Sequence, residues 1–136
     1  MARGILLVQM PLARVENPCH EGRVFVRLEG VISCKRGENV RLGSGVFVSG
    51  GCEILDDGLI EIGDGVILGE GVRVVAEEKA GVRIGRGAWI GDGAELRPGA
   101  RVGSGAMVCA GSVVDGEVPD NAVVEGRPAR VTWYLR

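Results

Sequence analysis

Large aliphatic residues recur at every sixth position along most of this chain. Leu42, Val48 and Ile54 lie six apart, and Ile62, Leu68 and Val74 resume the count after a slip of two. After a slip of four, Ile84, Ile90, Leu96, Val102, Val108 and Val114 run without a fault. A second position keeps time with the first. Four residues after each aliphatic stands a small or β-branched residue: Val46, Cys52, Val66, Val72, Ala88, Ala94, Ala100, Ala106 and Ser112. Glycine commonly follows the aliphatic directly, as at Gly43, Gly63, Gly69, Gly85, Gly91 and Gly103.

A helix would show apolar residues three and four apart, and interior glycine would cost it about 0.5–1 kcal/mol per site. Ordinary amphipathic strands alternate for several residues and then turn. A period of six instead fits very short strands joined by tight corners where glycine is useful. Three such sides close one coil, and stacked coils form parallel strands about 4.8 Å apart. Each aliphatic then stands above its counterpart in the next coil, in a solenoid core that no single repeat could bury. The irregular segment 22–41, with Val24, Val26, Leu28 and Ile32 apolar, supplies one further coil, for about five in all.

Composition agrees with this all-β reading. Glycine is 24 of 136 residues without a three-residue period, which excludes collagen. A hydrophobic share of 46% and a net charge of −2 exclude a disordered chain. No basic run suggests nucleic acid as a partner. Cys19, Cys34, Cys52 and Cys109 have no zinc-ligand spacing and read as thiols in a reducing cytoplasm. The run "GILLVQMPLA" is too short to span a membrane and reads as an N-terminal arm or opening strand over 1–21. Few asparagines and glutamines beside many Arg, Glu and Val suit a thermophile.

The C-terminal third carries a more specific pattern. Trp89-Ile90-Gly91, Pro98-Gly99, Ala110-Gly111-Ser112-Val113-Val114, Val118-Pro119-Asp120-Asn121 and Gly126-Arg127-Pro128-Ala129-Arg130 follow in order. This set resembles the hexapeptide-repeat acyltransferases, in particular the branch of maltose, galactoside and other sugar O-acetyltransferases. The resemblance implies that residues 22–116 form a left-handed parallel β-helix, closed by a C-terminal turn and tail over 117–136. It also implies a homotrimer with acetyl-CoA lying between neighbouring prisms. By the same resemblance, Trp89 lines the pantetheine groove, while Ala110 and Gly111 offer backbone groups to the pantetheine amides. Arg130 faces the phosphate-bearing end of CoA, with Arg127 as a helper. Asp115 stands where the family often has threonine.

The sharpest departure lies in "VVAEEKAGVRIG", residues 74–85. There the family places the histidine that takes the nucleophile's proton, and this chain has Glu77, Glu78 and Lys79 instead. Three readings stay open: catalysis by Glu77, Glu78 or the single histidine, His20; a CoA-binding trimer that has lost catalysis and serves as a scaffold; or a solvated turn with the acceptor site elsewhere. A carboxylate at its ordinary pKa of about 4.3 is a weak base for a hydroxyl unless burial raises it. One histidine per chain does not supply the ligands of a zinc carbonic anhydrase on the same prism, so no metal is expected. Cys109, at a turn position, is a poor candidate nucleophile. The expected activity is acetyl transfer from acetyl-CoA to a hydroxyl or amine of a sugar or another small metabolite. It proceeds by direct attack on the thioester.

Overall fold

Because every sixth residue is apolar and glycine commonly follows it, each strand turns its aliphatics inward and then bends. The computed structural model, which describes residues 5–6, 26–28 and 32–135, has this form. Strands of two to six residues assemble into three sheets visited in rotation. Sheet A holds Ile5–Leu6, Ser33–Cys34, Glu53–Asp56, Arg73–Ala76, Glu95–Leu96 and Val113–Val114. Sheet C holds Val40–Leu42, Ile60–Ile62, Val82–Ile84, Arg101–Val102 and Glu117–Val118. Sheet B holds Val26–Leu28, Val46–Val48, Ile67–Leu68, Trp89–Ile90, Met107–Val108, Ala122–Gly126 and Ala129–Tyr134. The chain runs from B to A to C and back to B, so the three sheets form a three-sided parallel β-helix of about five coils. Among the described strands, only the outermost pairings are antiparallel: Ile5–Leu6 on Ser33–Cys34, and Ala129–Tyr134 on Ala122–Gly126.

All twelve frame aliphatics are buried, as are the nine small residues that keep time with them. They stack in columns. On sheet A, Cys34, Ile54, Val74, Leu96 and Val114 are successive partners. Burying one such aliphatic contributes about 1.5–3 kcal/mol.

The two slips in the sequence fall on the same edge. Every step from C to B and from B to A keeps the six-residue count; all variation in coil length lies between sheets A and C. The constant edges are tight because the coils nearly touch there. A Cβ on Gly85 would lie 2.6 Å from the Ser104 nitrogen, and one on Gly91 would lie 2.7 Å from the Ala110 nitrogen. Two residues further on, Gly87 and Gly93 turn the corner at φ +71° and +70°, a conformation that glycine adopts freely. Carboxylates tie the same corners together: Asp64 accepts the Ser44 N–H, Asp92 that of Glu70 and Asp120 that of Ser104, each at 2.9 Å.

The parallel stacking continues past residue 116, the limit drawn from the sequence. Glu117–Val118 and Ala122–Gly126 extend sheets C and B, with Val118 and Val124 buried in the same inward frame. Asp115–Gly116 make the A–C step two residues short, which hides these positions from a strict count of six. The remainder, Ala129–Tyr134, folds back as the closing strand.

On the A–C edge of an early coil, the buried Asp56 carboxylate accepts the N–H groups of Arg36 (2.7 Å), Gly37 (2.9 Å) and Asn39 (3.0 Å). Burial, with Asp56 beside it, pushes the Cys34 thiol up from 9.0 to about 12. The folded thiol therefore stays neutral over a range in which the unfolded one ionises. Its contribution to stability is whole below pH 9 and is lost as pH rises toward 12. Denaturant titrations across that range should show the decline, and Cys34→Ala should shrink it. The stacking itself is checked by Gly85→Ala, which should lose about 1–3 kcal/mol of unfolding free energy as the added methyl meets backbone. Gly116→Ala, with open space around its Cβ position, should stay within about 0.5 kcal/mol of the parent.

Candidate functional site

The outward positions of the three sheets differ in character. On sheet A, Glu53, Arg73 and Glu95 alternate in sign. Arg73 bridges to Glu53 at 3.1 Å and Glu95 at 3.8 Å, and Arg97 reaches Glu95 at 3.4 Å. Sheet B presents an apolar column instead: Phe47, Ile67, Trp89, Met107, Val123 and Trp133 are successive cross-strand partners. Trp89 is 49% exposed and Trp133 66% exposed. The first four directly precede frame aliphatics and recur at every third repeat, so the sequence holds this column, although only Trp89 stands out in it through its motif.

Beyond Trp89, sheet B ends at its edge with sheet A, where Cys109, Ala110 and Gly111 make the corner. Gly111 donates to the Asp92 carbonyl at 2.9 Å, and Cys109 donates to the Val124 carbonyl at 3.0 Å. Among the described residues, neither the N–H nor the C=O of Ala110 has a hydrogen-bond partner. The equivalent N–H two coils earlier, that of Glu70, is taken by Asp92. Below this corner lies Glu125, whose cross-strand partner is Arg130. Arg127 and Arg130 both stand exposed on the closing hairpin, and Arg130 also borders a 260 Å³ cavity at the C-terminal end of the core, beside Asp115 and Val131. Burial raises the pKa of the Cys109 thiol, with the Glu125 charge adding to it, which does not favour a thiolate there.

Glu77 and Glu78 are elsewhere. Glu77 and Ala80 exchange backbone hydrogen bonds at 3.0 and 2.9 Å, closing the four extra residues into a tight turn. The turn clasps the coil before it: a Cβ on Gly58 would fall on the Glu77 carbonyl. Both glutamates are exposed on the A–C edge, which faces away from sheet B across the prism. Trp89, Ala110 and Gly111 therefore lie on sheet B and its edge with sheet A, Arg130 on the hairpin that closes sheet B, and Glu77 and Glu78 on the A–C edge. His20 lies outside the described residues. Among those described, no group of three or more His, Cys, Asp or Glu side chains could hold a metal, and no helix is long and apolar enough to cross a membrane.

A family model for bacterial transferase hexapeptide (six repeats) matches residues 81–116. A maltose O-acetyltransferase from Clostridium difficile 630 is 32% identical, with a TM-score of 0.78 over 82% of this chain and 67% of that one. The chain belongs to the hexapeptide-repeat acyltransferase family. Its solenoid is the left-handed β-helix of that family. A hexapeptide-repeat containing acetyltransferase from Vibrio cholerae is 26% identical, with a TM-score of 0.73 over 82% of this chain and 70% of that one. A galactoside acetyltransferase in complex with coenzyme A shares the fold at 24% identity and a TM-score of 0.72, over 82% of this chain and 64% of its own.

Because the turn at 77–80 is held by its backbone, its side chains contribute little to folding. The double variant Glu77→Ala, Glu78→Ala should unfold within about 0.5 kcal/mol of the parent by urea titration. A larger loss would reveal a contact for these carboxylates.

Proposed function

We propose that this protein transfers an acetyl group from acetyl-CoA to a hydroxyl or amine of a sugar or another small polar metabolite. The observation that carries this reading is the unpaired Ala110 backbone, set at the corner of the sheet that carries the exposed Trp89 ring and ends in the hairpin of Arg130. An amide-bearing chain such as pantetheine can donate to that C=O and accept from that N–H, with its apolar stretches against indole. Arg130, helped by Arg127, supplies guanidinium donors for the CoA phosphates, and Gly111 keeps the corner open to the backbone.

Catalysis then needs the acceptor's nucleophile to attack the thioester carbonyl as a base takes its proton. The tetrahedral oxyanion collapses, the acyl–sulfur bond breaks and the CoA thiolate leaves to be protonated. The base is Glu77, Glu78 or His20. Since Glu77 and Glu78 lie across the prism from Trp89, a complete site takes residues from two copies. The apolar column of sheet B suits such an interface, and a homotrimer would hold three equivalent sites. The free thiols of Cys34, Cys52 and Cys109 fit a reducing cytoplasm. The charge ladder on sheet A fits a thermophilic source.

Exposure of both glutamates favours a second reading, a scaffold that binds CoA without turnover. Calorimetry with acetyl-CoA and thiol-release assays across sugars and amines separate the two. Saturable binding that Trp89→Ala weakens about tenfold or more, equivalent to about 1.4 kcal/mol, together with acceptor-dependent thiol release, is the expected result. Binding without release supports the scaffold, and absence of binding overturns both. Among Glu77→Ala, Glu78→Ala and His20→Ala, the variant that loses about 100-fold or more in kcat identifies the base.

A further inference from the structure

We propose that the groove along sheet C binds a carboxylate or phosphate group, and that this group belongs to the acyl acceptor. The assignment to an acceptor rests on the acyl-transfer reading; the anion site itself does not. The outward column of sheet C reads Arg41, Glu61, Arg83, Arg101 and Glu117. Where sheet A alternates acid and base, sheet C sets Arg83 and Arg101 directly side by side as cross-strand partners. Strands lie only about 4.8 Å apart, and like charges facing across them destabilise a sheet. Arg83 is held on its far side by Glu61 at 3.2 Å. The Arg101 guanidinium has no hydrogen-bond or ion-pair partner among the described residues, and neither has the Lys79 ammonium at the tip of the inserted turn. Three cationic groups thus converge with one carboxylate committed to them.

Two cavities meet at this pair. One of about 340 Å³ is lined by Glu61, Glu78, Lys79, Arg83 and Arg101, and one of about 430 Å³ by Arg83, Arg101, Ser104, Glu117 and Asp120. Both lie in the size range of small-ligand sites. Two adjacent guanidinium forks suit the paired oxygens of a carboxylate or phosphate, whose charge would relieve their mutual repulsion. Glu78 and Glu117 stand at opposite ends of the groove, where they accept from hydroxyl or ammonium groups, while the Asp120 carboxylate is engaged by the Ser104 N–H. The matching ligand is a small acid that also carries hydroxyl or amino groups. The groove borders the Glu77–Lys79 turn and opens on a different sheet from Trp89 and Ala110, which separates it from the donor residues.

Titration of the full-length protein with inorganic phosphate, followed by the arginine Nε–H resonances, tests the site. Saturable shifts at Arg83 and Arg101 that Arg101→Gln abolishes are expected; shifts that grow linearly without saturation overturn it. Thiol-release assays with gluconate, glucose 6-phosphate and serine against neutral glucose test the acceptor. We expect acidic acceptors to be preferred, and Arg101→Gln to raise their KM about tenfold with the acetyl-CoA KM unchanged. A rise in the acetyl-CoA KM instead assigns the site to the CoA phosphates and overturns the proposal, as does a preference for glucose. Saturable phosphate binding without release from any acceptor counts against acyl transfer and against the acceptor assignment, leaving the anion site standing.

Discussion

Successive coils of this β-helix approach so closely at their glycine corners that an added methyl group would meet the backbone of the next coil. Gly85 under Ser104 and Gly91 under Ala110 are the clearest cases. That contact spacing brings the inward aliphatics into register, so that Ile84 lies over Val102 and Ile90 over Val108. With the core stacked in this way, the outward residues also fall into columns, and each column acquires a chemical character of its own. The charged ladder of sheet A, the apolar stripe of sheet B and the arginine pair of sheet C all follow from one repeated distance.

The same constraint decides where the chain can change. At the C–B and B–A edges a single inserted residue would displace the glycine corner and its carboxylate ties, such as Asp64 to Ser44. The A–C edge is closed by loops of differing length, one satisfied by Asp56 from the next coil and another by the hydrogen bonds of its own Glu77–Ala80 turn. Variation in coil length is therefore confined to one side of the prism. The opposite side, with Trp89 and the corner at Ala110, keeps an unbroken geometry. In the proposed trimer, a site that uses both sides would draw on an invariant scaffold from one copy and an adjustable loop from another.

Much of the fold was legible because its period is short and repeated. The positions that the six-residue spacing named from Leu42 to Val114 are all buried, and it missed Ile60, Ala76 and Val82, which lie beside the irregular A–C steps. It stopped too early at the C-terminal end, where the shortened step at Asp115–Gly116 breaks the count although Val118 and Val124 carry on the stack. The site was less legible. Trp89, Ala110 and Arg130 stood out through the ordered motifs that resemble the family. The unpaired state of Ala110 and the adjacency of Arg83 and Arg101 did not, because each depends on what lies one coil away. Residues 83 and 101 are far apart in the chain and direct neighbours in the sheet.

From the sequence alone came the repeat, the inward face, the glycine corners and the absence of the family's histidine between residues 74 and 85. These are local properties: a side chain's polarity and the backbone freedom at its position determine them wherever the chain goes. Tertiary structure decided which edge absorbs the irregular steps, which outward side chains become neighbours, and that Glu77 and Glu78 face away from Trp89. Those are relations between coils, created by the stacking distance and the number of residues each turn contains, and only the closed prism expresses them.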